Sequence, residues 1–216
     1  MTLKNTADRW GPVSQAFHWL IVLLIVGLAI VGLTMGDLPK TPKYFWVYTA
    51  HKSFGITVLV LVIARLAWRL YAGKPESVPG TPGWQERIAT VTHWLLYALI
   101  LVMPISGWLY DSASGLRPFR WFGLFDVPKL SPPDEALRGI SHEVHEWGFW
   151  VLLALVAAHA GAAFYHHYFQ RDATLVRMLP RRSPRIADNG AHASLASAPL
   201  ASAPIATTPE EPPHVP

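Results

Sequence analysis

His145-Glu146-Trp147-Gly148-Phe149-Trp150-Val151-Leu152-Leu153-Ala154-Leu155-Val156-Ala157-Ala158-His159 is the stretch on which the fold turns. Its two end histidines are 14 residues apart (159 − 145). At about 100° and 1.5 Å per residue this is almost four turns, so both imidazoles leave one helix face about 21 Å apart. The apolar run carrying them continues to Phe169. A hydrocarbon core about 30 Å thick would then bring one histidine near each membrane surface. Imidazole in lipid is costly without a partner.

The rest of the composition agrees with a membrane setting. The 216 residues are 51% hydrophobic and 15% charged, with mean hydropathy +0.25; soluble domains carry about 25% charge. Zero cysteines exclude disulfides, thiolate zinc, iron–sulfur clusters and covalent c-type haem attachment. A net charge of +4 raises the question of nucleic acid. The basic residues flank apolar segments instead of forming a basic–aromatic stripe, which reads as topology signalling and contact with anionic lipid.

Four spans are predicted. Phe17–Met35 is 19 residues without a formal charge, long enough to cross. It is too long, and lacks a small-x-small site, to read as a secretory signal. Gly36-Asp37-Leu38-Pro39 stops it. The second span is about Val47–Leu70, ending near Arg65 and Arg69. The third is about Ile88–Tyr110, with Pro104 expected to kink it. Residues 111–132 form the longest connection, rich in Gly, Pro and aromatics. Ser131-Pro132-Pro133-Asp134-Glu135 then starts a helix from about Pro133 to Gln170, with Ser131 as cap and acids at the positive dipole end.

Eleven of the eighteen Lys and Arg residues fall on the side of the N-terminus, among them Arg65, Arg69, Arg87 and Arg171. Seven, including Lys40, Lys52, Arg117 and Arg138, fall on the other. The bias puts both termini in the cytoplasm. From Ser183 the chain is Ala-, Ser-, Pro- and Thr-rich without periodicity, so it cannot bury enough surface to order itself. The predicted fold is an all-α membrane protein: a four-transmembrane-helix bundle over 1–182, then a disordered cytoplasmic tail over 183–216.

With that topology the histidines fall at two depths. His18 opens the first span at the inner level, and His51 lies near the outer end of the second. On the fourth helix His145 is outer and His159 is about four turns inward. His18 with His159, and His51 with His145, make two interhelical pairs, the arrangement in which bis-histidine ligation of two non-covalent b haems becomes available. Taken singly, each histidine reads equally well as an interhelical hydrogen-bond partner. Gly27, Gly32, Gly55 and the small residues around His159 leave room for a macrocycle, or simply pack helices closely. His93 competes with His18 at the inner level or hydrogen-bonds a propionate or quinone. His142 falls off the His145 face, and His166 and His167 lie at the boundary, within reach of propionates or headgroups. Arg65 and Arg69 suit propionates or headgroups, or snorkel to the interface. Lys52 is the outer counterpart. No nucleotide-binding, zinc-protease or nucleophile-elbow motif is present.

Phe17-His18-Trp19-Leu20, His51-Lys52-Ser53-Phe54-Gly55, Val62–Arg69, Thr92-His93-Trp94-Leu95-Leu96-Tyr97, His145-Glu146 through His159 to His166-His167-Tyr168-Phe169, and Asp172 to Pro180 resemble the prokaryotic cytochrome b561 family. That family is related to the cytochrome b subunits of nickel–iron hydrogenases and formate dehydrogenases. The resemblance covers about residues 9–180. It implies an inner-membrane protein with two b haems held by His18, His51, His145 and His159, exchanging electrons with the ubiquinone pool. Some members are proposed to oxidise superoxide at the outer face, which would make the chain an oxidoreductase acting with ubiquinone. Two alternatives stay open: a membrane-anchor subunit fed by a periplasmic dehydrogenase, with 111–132 as docking surface or haem cap, and a haem-free permease using histidines as a proton relay.

Overall fold

The structure, a computed structural model, describes residues 3–180. The expected tail from Ser183 lies outside the described residues. Four long helices dominate: α1 (Pro12–Met35), α2 (Phe45–Ala72), α3 (Gly83–Ala113) and α4 (Glu135–Tyr165). A 3₁₀ turn, Pro42–Tyr44, leads into α2, and α4 continues into a π-helical turn, His166–Gln170. All four are long and apolar enough to cross a bilayer. The chain is therefore an all-α four-helix membrane bundle.

Helices α1 and α3 outrun their apolar segments, and the extra turns are held by polar contacts that hydropathy does not register. Helix α1 begins five residues before Phe17 because Asn5 Oδ1 accepts from the Gly11 amide (2.8 Å) and the Ser14 hydroxyl (2.7 Å). Pro12 fits this first turn, where its missing N–H leaves no gap. Helix α3 runs past Tyr110 because Asp111, buried, pairs with Lys52 of α2. Pro104 is accommodated inside this helix, where lipid and neighbouring helices tolerate it.

The start of α4 corrects the expected cap. Asp134, not Ser131, accepts from the Leu137 amide (3.0 Å). Asp134 stands two places after Pro132 in extended backbone, where a carboxylate reaches the free N–H groups best. The long connection also holds a hairpin that composition did not predict, β1 (Arg120–Trp121) against β2 (Phe125–Asp126).

The interior is narrow. Ile21 of α1 with Val58 and Val62 of α2 form its centre, bordered by Leu24, Tyr97 and Ile100. Large apolar side chains such as Leu23 and Ile63 point outward. An exposed apolar surface is costly in water and matched in a bilayer, so the arrangement is that of a lipid-embedded bundle.

One end of the bundle gathers residues 5–12, the α2–α3 loop and the segment after α4. Asn5 donates to Gly73 O (2.7 Å), the Trp19 indole to Met178 O (2.9 Å), and Arg177 to Glu76 O (2.7 Å). Arg9 also donates to Leu179 O. The opposite end carries the hairpin.

Candidate functional site

Four imidazoles face one another in two pairs inside the bundle. His18 of α1 and His159 of α4 have ring centroids 6.4 Å apart with planes at 80°. His51 of α2 and His145 of α4 are 6.3 Å apart at 73°. Along α4 the pairs are separated by the 14 residues between His145 and His159, about 21 Å. The structure thus brings together both pairs that depth counting predicts.

Around His145 the geometry defines which nitrogen is free. Its Nδ1 lies 2.8 Å from the Met103 carbonyl. A carbonyl only accepts, so Nδ1 carries the proton and Nε2 presents its lone pair. The Ser106 hydroxyl is 3.1 Å from the same nitrogen and donates to Met103 O (2.9 Å). Gly107 completes the seat: a Cβ there would stand 3.1 Å from His145 Cε1. Facing it, His51 Nδ1 is buried without a hydrogen-bond partner among the described residues. Gly32 lies against that ring, with room for a Cβ at 3.4 Å.

The other pair has a third histidine. His93 of α3 is 5.3 Å from His159, centroid to centroid. Arg65 Nη1 is 2.9 Å from His18 Nδ1. A guanidinium only donates, so His18 Nδ1 accepts in this arrangement. Arg65 also lies 5.7 Å from the Tyr97 ring, and Arg69 is surrounded by Trp10, Trp94 and Tyr97. The expected snorkelling of Arg65 is not what the structure has; the guanidinium turns inward to an imidazole and an aromatic face, which compensate its burial.

Among the described residues, three further histidines sit apart from the pairs. His142 is exposed beside Glu146 (3.7 Å) and Tyr110. His166 Nδ1 is 2.5 Å from Asp172 Oδ2, within the turn after α4. His167 contacts Tyr168. Lys52, beside His51, is committed to Asp111. Gly27, Gly55 and Gly161 border open space, whereas the glycine that does make room for a ligand candidate on α3 is Gly107. Sequence reading missed Gly107, Met103 O and Asp111. The pair Ser106-Gly107 inside an apolar span was the available signal for the first.

Membrane-spanning helices that enclose facing imidazoles near both ends define a class: integral membrane bundles with internal histidine pairs. The chain belongs to the prokaryotic cytochrome b561 family, whose description matches residues 9–181. It is 34% identical to cytochrome b561 homolog 2 of Escherichia coli K12 over 188 residues, 85% of this chain and 97% of that protein. Homolog 1 of the same strain is 34% identical over 177 residues, 81% and 99% of the two chains. The Yersinia pestis protein named "Probable superoxide oxidase CybB" is 31% identical over 181 residues, 81% of this chain and 97% of its own. The chain is thus a membrane cytochrome b of electron transfer, and its family binds haem b. Family and spans point to a multi-pass protein of a prokaryotic inner membrane.

Proposed function

We propose that the bundle holds two b haems, one between His18 and His159 and one between His51 and His145, and carries electrons between an outer-face reactant and the ubiquinone pool. Ring spacing carries this reading. An iron held by one nitrogen of each ring would need the two imidazoles of a pair to face each other across an open gap. The two pairs stand at 6.4 and 6.3 Å. His93 stands closer to His159, at 5.3 Å, and is left out of the proposed ligand set. The orphaned His51 nitrogen and the glycine seats beside His51 and His145 fit the same group.

Bound haem supplies one-electron redox chemistry. The protein's part is orientation. The Met103 carbonyl keeps the His145 proton on Nδ1, which directs Nε2 inward and raises its basicity. His18 would hold the group through Nε2 with its proton on Nδ1, the nitrogen that accepts from Arg65 in this arrangement. Arg65, beside Tyr97, would then supply a cation to a propionate.

Both termini are proposed to be cytoplasmic, on the Lys/Arg count. Superoxide is the outer reactant proposed, after the relative named as a superoxide oxidase. Two superoxide ions lose one electron each to give two O₂, and ubiquinone takes those electrons with two protons to become ubiquinol.

The test is an optical spectrum of purified protein with haem counted per chain, followed by ubiquinone reduction under a superoxide flux. A colourless protein, or one haem per chain, would overturn the ligand assignment. Two haems without superoxide oxidation would leave the carrier and exclude this donor; a co-purifying periplasmic dehydrogenase would then favour the anchor role.

A further inference from the structure

We propose that the hairpin Arg120–Asp126 is a re-entrant membrane anchor, which seats Phe122, Leu124 and Phe125 among lipid chains on the outward face of α2. Height along the helices comes first. Gly107 marks the level of the His51–His145 pair, and α3 continues six residues beyond it to Ala113, about 9 Å. The connection leaves there and returns there, because the Asp134 amide donates to Ala113 O (3.1 Å). Between these points the chain comes back down. The Phe122 amide donates to Ser53 Oγ (3.1 Å) and the Trp121 indole to Thr57 Oγ1 (3.2 Å). Ser53 and Thr57 lie two and six residues past His51, about 3 and 9 Å deeper.

Direction is the second argument. At about 100° per residue, Val58 and Val62 of the core stand within about 20° of His51 around α2, whereas Ser53 and Thr57 stand about 200° and 240° away. Val60, about 180° away by the same count, is 60% exposed. The hairpin therefore lies on the lipid side of α2 and does not cap the histidine pair.

Chemistry is the third. Trp121-Phe122-Gly123-Leu124-Phe125 carries no charge. Phe122, Leu124 and Phe125 are 43%, 67% and 56% exposed, next to exposed Phe54, whose ring meets Phe122 at 4.9 Å. Non-helical backbone is tolerated at membrane depth where protein buries it, and this backbone is held against Ser53 and Thr57 of α2, with Ser53 fully buried. The Gly123 and Leu124 amides donate within the hairpin, the Val127 amide donates to Phe119 O at its base, and that of Phe122 donates to Ser53. That last bond also holds Phe122 at φ 45°, an uncommon angle for an aromatic residue. Arg120 and Asp126 pair at the base (3.5 Å), so the charges reaching the headgroup boundary are matched. Water offers these apolar tips nothing; the leaflet beside them does.

The absence of native cysteine allows a single label to report the site. Full-length Leu124→Cys and Phe125→Cys, each carrying a nitroxide, are placed in phosphatidylcholine–phosphatidylglycerol vesicles, with Arg117→Cys as the aqueous reference. Oxygen should relax labels 124 and 125 several-fold more than a water-soluble nickel chelate does, with the ratio inverted at 117. Nickel accessibility at 124 and 125 matching that at 117 would overturn the proposal. Shielding from both reagents would overturn it too, by showing that protein, a second copy or another partner, covers the tip.

Discussion

Replacing Gly107 by alanine tests the outer site most directly. The new Cβ would lie 3.1 Å from His145 Cε1 and 3.3 Å from Nδ1, both shorter than the 3.4–4 Å of ordinary contact. In a helix interior, Gly to Ala alone stabilises by about 0.5–1 kcal/mol. Crowding a packed site costs about 1–3 kcal/mol. The ring escapes only by giving up its 2.8 Å bond to Met103 O, a further loss of about 0.5–1.5 kcal/mol. Taken together the losses outweigh the helix gain by about 0.5–4 kcal/mol, and they fall on His145. Disturbing a ligand's orienting bond lowers metal affinity about 10–100-fold. Haem per chain should fall from two toward one, with the low-spin signal of one site lost and the other unchanged. Gly32→Ala is the internal comparison: its Cβ meets His51 at 3.4 Å, ordinary contact, so both haems should stay. If Gly107→Ala keeps both haems with unchanged midpoint potentials and a raised Tm, the reasoning about the His145 seat is refuted.

His18→Ala and His159→Ala should each abolish one and the same haem, and His51→Ala and His145→Ala the other. His93→Ala should retain both, as counted by pyridine haemochrome. Asp111→Asn removes the charge that Lys52 faces and should cost about 1.5–3 kcal/mol, read as Tm in detergent. Lys52→Met/Asp111→Leu should recover most of this, because an apolar pair avoids the stranded charge. At Asp172 burial raises the carboxyl pKa, but hydrogen bonds from His166 and Thr174 outweigh it and hold it below the usual range. A folded-state value below the unfolded one of about 3.9 means that its contribution is whole above that pH and fades as pH falls through the folded value. The segment after α4 should accordingly become pepsin-sensitive in acid, and Asp172→Asn should flatten that pH dependence.

Much was legible because the signals are local. Four apolar runs, the stop at Gly36, and histidines countable by depth suffice for a four-helix bundle with matched imidazoles, since in lipid each helix satisfies its own backbone. Where α1, α3 and α4 start or end was less legible. The deciding bonds, Asn5 to Ser14, Lys52 to Asp111 and Asp134 to Leu137, compete with neighbours that look equally suitable in one dimension.

The sequence by itself determined how many helices cross, and which histidines share a height, because both follow from the rise and pitch of a helix. Only the tertiary structure decided that His159 faces both His18, at 6.4 Å, and His93, at 5.3 Å, that Gly107 seats His145, and that the aromatic loop bends back along α2. Those outcomes depend on how helices from distant parts of the chain rotate and approach one another, and side-chain packing across helices sets that rotation, not the periodicity within any one of them.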